Sequence, residues 1–188
     1  MKKPFIGKKK VLPDETEALI HRIKDRASNL YLTRQMLCTE AVMSAINQGL
    51  DGGLTDAQAT AMAAPFSAAM GETGCLCGAL SGAVMASGLI LGKGHGHRHR
   101  KAMRENARRL HDEFKVANGA TCCRVLTRKV RNDRKAHFQQ CAHLTAQAAE
   151  MAARLVLERR PDLVQHADNS SLKKQPSSIF GLIRRLVQ

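Results

Sequence analysis

The residues of this chain with most chemistry to offer are its six cysteines: Cys38, the near pair Cys75 and Cys77, the adjacent Cys122 and Cys123, and Cys141. A lone free cysteine is among the most buried residue types and often only fills space. Two pairs almost adjacent in sequence fit that account less well. One residue between Cys75 and Cys77 is too few for an unstrained disulfide, and a bond between Cys122 and Cys123 is strained likewise. Both spacings suit thiolates that converge on something outside the pair. A metal, a cluster or a reactive thiol site needs that arrangement.

Local context sharpens this. Cys77 stands at the start of a predicted helix, where unpaired backbone N–H groups lower a thiol pKa. Cys38 precedes Glu40 by two residues, and Cys123 is followed by Arg124, whose charge favours a nearby thiolate. A second candidate is the run Gly94 to Lys101, in which His95, His97 and His99 alternate. Extended, they would share one side and hold Zn²⁺, Cu²⁺ or Ni²⁺, although Arg98, Arg100 and Lys101 oppose a cation there. Catalysis of other kinds finds no footing. The chain has no glycine-rich phosphate loop, no G-x-S-x-G elbow and no purposeful carboxylate pair.

These residues must be positioned by helices. Pro13-Asp14-Glu15 opens a pattern with Leu19, Ile20, Ile23, Ala27 and Leu30 on one face, and acidic residues in its first turn. Helices are predicted over 33–48, from Thr55-Asp56 to about Pro65, from Cys77 to Gly92, and over 100–116, 122–131 and 136–159. Pro161 ends the last one. No segment alternates like a strand. In the Cys77 helix, Gly78, Gly82 and Ala86 recur every four residues and form a small-residue ridge. Glycine costs a helix about 1 kcal/mol relative to alanine, so such a ridge implies close approach of another backbone.

The 188 residues suffice for one sizeable core. Apolar residues make up 44% but aromatics only 3%, so Ala, Leu, Val and Met must fill it, as they do in packed helices. The net charge of +14 predicts attraction to polyanions or acidic proteins. It is unevenly spread: Gln35 to Gly92 contains no Lys or Arg, and the basic residues crowd into the first ten positions and beyond Lys93. Nucleic-acid binding is compatible with such clusters, but no recognition signature is present and the scattered aromatics offer no stacking platform.

The uncharged stretch Thr73 to Gly92 is interrupted by Gly, Ser, Thr and Cys, and its strongly apolar part falls short of the ~20 residues of a spanning helix. The opening MKKPFIGKKK lacks an apolar signal core, which leaves the cytoplasm, where thiols stay reduced, as the expected location.

Taken in order, the cysteine elements resemble a known family. Cys38-Thr-Glu40-Ala-Val is followed by Gly71-x-x-Gly74-x-x-Cys77-Gly78-Ala79-x-x-Gly82, then by Phe114, Gly119-x-x-x-Cys123-Arg124-x-Leu126, and finally Cys141. This pattern, over roughly residues 33 to 155, is similar to the C_GCAxxG_C_C family of putative redox-active proteins. The resemblance implies a small helical domain with four key cysteines, here Cys38, Cys77, Cys123 and Cys141, and a redox role. A similar domain in split-Soret cytochrome is associated with an iron–sulfur cluster. The haem attachment motif C-x-x-C-H is absent here, so covalent haem is not implied. Cys75 and Cys122 are additional to the four, as ligands that exchange or as a local dithiol.

The sequence thus predicts an all-α, compact multi-helix bundle over 13–160, with a flexible basic arm over 1–12. A C-terminal tail over 161–188 combines a linker with a short amphipathic helix, Ile179 to Val187. The expected function is redox, through an iron–sulfur cluster or a reactive thiol site on Cys38, Cys77, Cys123 and Cys141, with Glu40, Gly74, Gly78, Gly82 and Arg124 in support. The expected partner is an acidic redox protein. The competing reading is a basic helical binding protein whose cysteines are structural or bind zinc.

Overall fold

A computed structural model describes residues 11–94, 99–167 and 172. The basic arm before Val11, His95, His97 and the amphipathic segment 179–187 lie outside them. The fold is all-α, and no strand occurs among the described residues. Its frame is four helices: α1 (Asp14–Leu32), α2 (Cys38–Gly49), α5 (Gly78–Gly92) and α8 (Arg134–Arg159). Between them lie α3 (Asp56–Ala63), the short α4 (Ser67–Glu72), α6 (Arg100–Asn118) and the single turn α7 (Cys123–Leu126).

The acidic first turn of α1 compensates the helix dipole, and its apolar face buries Leu19, Ile20, Ile23, Ala27 and Leu30 as their spacing requires. The helix stops at Leu32, where Thr33 turns its hydroxyl back to the Asn29 carbonyl at 2.7 Å and Arg34 takes a φ of 57°. This turn separates α1 from α2, so the helix expected to begin at Thr33 begins at Cys38. The Glu40 carboxylate caps it by accepting the Leu37 N–H at 2.8 Å. α3 opens on a reciprocal cap between Thr55 and Gln58, at 3.2 Å and 3.0 Å. Gly119, at φ 77°, closes α6 and hydrogen-bonds the Lys115 carbonyl at 2.8 Å.

α5 packs against α2 and α8 and buries its small-residue ridge. A methyl group added to Gly82 would lie 2.8 Å from the Thr39 carbonyl oxygen, so the two backbones meet there with no room for a side chain. α8 answers with Ala142, Ala149, Ala152 and Ala153 in the core. α6 contributes the fully buried Leu110 and Phe114. Arg154 of α8 forks onto the Glu17 carboxylate of α1, with one arm at 2.7 Å, and ties the ends of the frame.

The helix expected over 122–131 shrinks to α7. Its continuation carries Arg128, Lys129 and Arg131, all exposed, and Thr127 is the one buried residue of that stretch. Without an apolar stripe to bury, further helix gains nothing from the core and the chain proceeds in turns. No helix among the described residues is long and apolar enough to cross a membrane.

Candidate thiol redox site

The cysteines meet where α2 and α5 begin. The Thr39 hydroxyl donates to the Gly78 carbonyl at 2.9 Å, and a methyl group on Gly78 would stand 2.5 Å from the Cys38 sulfur. Glycine at 78 therefore makes room for that thiol. Cys38 lies at the start of α2 and is half-buried. Burial pushes its pKa up, partly offset by the Ala68 N–H aimed at the sulfur. Ala68 reaches it from α4, whose residues Ala68, Ala69, Met70 and Gly71 all have φ between 50° and 63°.

Cys77 and Cys123 are brought together by two chain segments lying side by side. The Cys77 N–H donates to the Thr121 carbonyl at 2.8 Å, and the Arg124 N–H donates to Gly74 at 3.1 Å. Gly74 itself is left-handed, at φ 86°, and a methyl group there would meet the Arg124 guanidinium nitrogen at 3.0 Å. Cys77 is the buried N-cap residue of α5, and its thiol hydrogen-bonds to Cys123. That bond, then burial, pushes Cys77 strongly up. The same bond, with the Gly78 N–H, pulls half-buried Cys123 down to about 7 against the opposing effect of desolvation.

The N-terminus of α5 therefore acts on two sulfurs: its Leu80 N–H favours the Cys77 thiolate, where the bond to Cys123 and burial outweigh it, and its Gly78 N–H favours that of Cys123. Its place at the start of α5 predicts that Cys77 is the thiolate. Instead its pKa is raised, and the first α5 amide stabilises Cys123 from another element. Arg124 likewise serves another sulfur than its sequence neighbour. Its guanidinium donates to the Thr73 carbonyl at 2.7 Å, and its charge partly offsets the rise in the Cys75 pKa that the hydrogen bond to Cys122 causes.

Cys141, in the second turn of α8, completes the group. Burial pushes its thiol up to about 11, against a hydrogen bond with the Tyr31 hydroxyl that favours the thiolate. Cys38 and Cys123 add to the upward shift, so all three sulfurs share one electrostatic neighbourhood. Burial and the nearby Cys141 hold the Tyr31 phenol in its neutral form. Tyr31 stacks on Phe138 with ring centroids 5.1 Å apart, and the Arg34 guanidinium caps that ring at 5.2 Å. Two shallow surface clefts lined by Tyr31, Arg34 and Phe138 run up to this edge.

Of the expected supporting residues, Gly74, Gly78 and Gly82 serve close approach, whereas Glu40 serves as the cap of α2. Tyr31 went unnoticed in the sequence. It is the only tyrosine of the chain, and its spacing does not tie it to any cysteine. His99 is exposed at the start of α6, and its companions His95 and His97 fall outside the described residues. Among the described residues, no three His, Cys, Asp or Glu side chains stand in an arrangement that could hold a metal ion.

A model of the C_GCAxxG_C_C family, described as a putative redox-active protein, matches residues 36–155. The chain belongs to this family. Cys38, Cys77, Cys123 and Cys141, the four cysteines assigned to the C_GCAxxG_C_C pattern, all lie within the matched span, and Cys75 and Cys122 fall between them. No curated protein and no solved structure matches the chain.

Proposed function

We propose that the chain performs thiol–disulfide redox chemistry at Cys123 and Cys77. The observation that carries this reading is their hydrogen bond, which leaves Cys123 with a pKa of about 7 and makes Cys77 its proton-bearing neighbour. A nucleophilic thiol works best with a pKa near the ambient pH, and its resolving partner belongs within bonding reach.

The Cys123 thiolate attacks one sulfur of a protein disulfide. The substrate S–S bond breaks, a mixed disulfide forms, and the departing substrate thiolate takes the Cys77 proton. Cys77, now a thiolate, attacks the Cys123 sulfur and expels the second substrate sulfur, which is protonated by water. Two electrons pass to the substrate and Cys77–Cys123 becomes a disulfide. A small or protein dithiol reverses these steps. Exposed Arg124, Arg128, Lys129, Arg131 and Arg134 flank the site and favour an acidic redox partner. A reducing compartment such as the cytoplasm would keep the pair poised.

A second reading is favoured by the shared electrostatic neighbourhood of four thiols. Cys38, Cys77, Cys123 and Cys141 have the donor type of a Cys-ligated iron–sulfur cluster, which would supply one-electron transfer, or of structural zinc. Among the described residues, however, no three of them are arranged to hold a metal ion, so this reading requires them to draw together. Equilibration with dithiothreitol mixtures, followed by alkylation and mass analysis, tests the first reading. A two-electron couple lost in Cys123→Ser and in Cys77→Ser supports it. Stoichiometric iron and acid-labile sulfide after anaerobic purification, without such a couple, would replace it with the cluster. Nucleic-acid retention that survives both substitutions, with no couple, would instead favour the basic binding protein.

A further inference from the structure

The two cysteines outside the family's four are neither scattered nor buried as filler. Cys75 is exposed, so packing does not account for it. Its thiol hydrogen-bonds to Cys122, and the half-buried Cys122 thiol in turn donates to the Gly74 carbonyl at 2.8 Å. The backbone hydrogen bonds Cys77 to Thr121 and Arg124 to Gly74, at 2.8 Å and 3.1 Å, bracket both residues. The hydrogen bond to Cys122 and the charge of that neighbour raise the Cys75 pKa, and the Arg124 guanidinium, fixed beside them on the Thr73 carbonyl at 2.7 Å, offsets this only in part. The two sulfurs are thus held together by a frame that does not depend on a bond between them.

We propose that Cys75 and Cys122 form a second, surface-facing dithiol–disulfide couple that exchanges with small or protein disulfides. Cys75, the exposed thiol of the two, gives its proton to solvent and attacks the incoming disulfide, breaking its S–S bond, forming a mixed disulfide and releasing one thiolate. Cys122, having given its proton to that thiolate, attacks the Cys75 sulfur and expels the other, which takes a proton from water. The incoming disulfide gains two electrons and Cys75–Cys122 is oxidised. A dithiol reductant runs the exchange backwards. The proximity of the two thiols supplies high effective concentration for the second step, whatever the inner pair does. This couple is independent of the Cys77–Cys123 reading, because each step uses only the two outer sulfurs.

The full chain carrying Cys77→Ser and Cys123→Ser isolates the outer couple. After equilibration with oxidised and reduced dithiothreitol, alkylation and digestion after glutamate and arginine, a peptide containing Cys75 should be linked to one containing Cys122. The link should titrate as a two-electron step with a slope of about 30 mV per decade. Unlinked, fully alkylated Cys75 and Cys122 at every dithiothreitol ratio, in a variant of native helicity, overturn the proposal. If that variant does not fold, fragmentation of the same linked peptides from the unmodified chain decides it: a Cys75–Cys122 link supports the couple, and links confined to other cysteines overturn it. The complementary Cys75→Ser/Cys122→Ser variant retains the inner pair, so loss of one couple is never confused with loss of the other.

Discussion

The Cys77 thiol donates its hydrogen bond to Cys123, and in doing so hands the reactive form to the sulfur that is less buried. Cys123 should accordingly be the first of the two thiols to react. Its alkylation by iodoacetamide should follow an apparent pKa of about 7. Replacing Cys77 by alanine removes the donor but leaves the Gly78 amide, so the Cys123 thiolate fraction at pH 7 should drop by about tenfold. Stopped-flow alkylation with peptide mapping measures this, and an unchanged rate would show that Cys77 does not tune Cys123.

The same shifts set how stability responds to pH in the reduced protein. Cys123 has a folded pKa of about 7 against an ordinary 9.0, so its contribution is present above pH 9 and fades as pH falls through 7. Cys141, raised to about 11, favours the fold below pH 9 and its contribution is lost as pH rises through 11. Urea midpoints under strong reductant should therefore climb from pH 7 to 9 and decline from 9 to 11. Cys123→Ser should flatten the climb, and Cys141→Ser should reduce the decline.

Gly78→Ala tests the meeting of α2 and α5. The added methyl would stand 2.5 Å from the Cys38 sulfur, 2.6 Å from the Thr39 hydroxyl and 3.0 Å from the Phe66 carbonyl. The neighbours must move, at a cost of about 1–3 kcal/mol typical of overpacking. Denaturation of the reduced variant gives the loss directly, and Cys38 should become more readily alkylated as the contact opens.

Tyr31→Phe keeps the stack on Phe138 and removes only the hydroxyl. Without that hydrogen bond the Cys141 thiol should titrate higher still, and its alkylation at pH 10 should slow. The stability cost should be about 1 kcal/mol, the usual worth of one internal hydrogen bond. Site-resolved alkylation separates this effect from general unfolding, which would speed the reaction.

Met70→Gly addresses the left-handed turn. Met70 is exposed and holds a φ of 56°, which L-residues adopt at a cost and glycine does not. The substitution should stabilise the fold by about 1 kcal/mol while keeping the Ala68 amide on Cys38. A thermal melt with a higher midpoint and unchanged Cys38 reactivity is the expected result.

Much of this molecule is written in one dimension. Leu19, Ile20, Ile23, Ala27 and Leu30 mark the buried face of α1 because a helix brings every third and fourth residue to one side. Gly78 and Gly82 mark α5 as a helix of close approach for the same reason. Thr55 and Pro65 bracket α3, and the order of four cysteines is enough to indicate the family.

The boundary at Cys38 was hidden, since the turn that ends α1 depends on Arg34 in a left-handed conformation that its residue type does not announce. Which cysteine carries the charge was hidden too. Helix position pointed to Cys77, and only the fold could bring Cys123 within reach of the Gly78 amide. Tyr31 and Cys141, more than a hundred residues apart, meet because α1 and α8 pack together, and Cys75 finds Cys122 because two loops are clamped side by side. Sequence fixes periodicity, and with it the helices and the stock of thiols. Hydrogen bonding and desolvation act over a few ångströms, so the division of labour among those thiols was decided by tertiary structure alone.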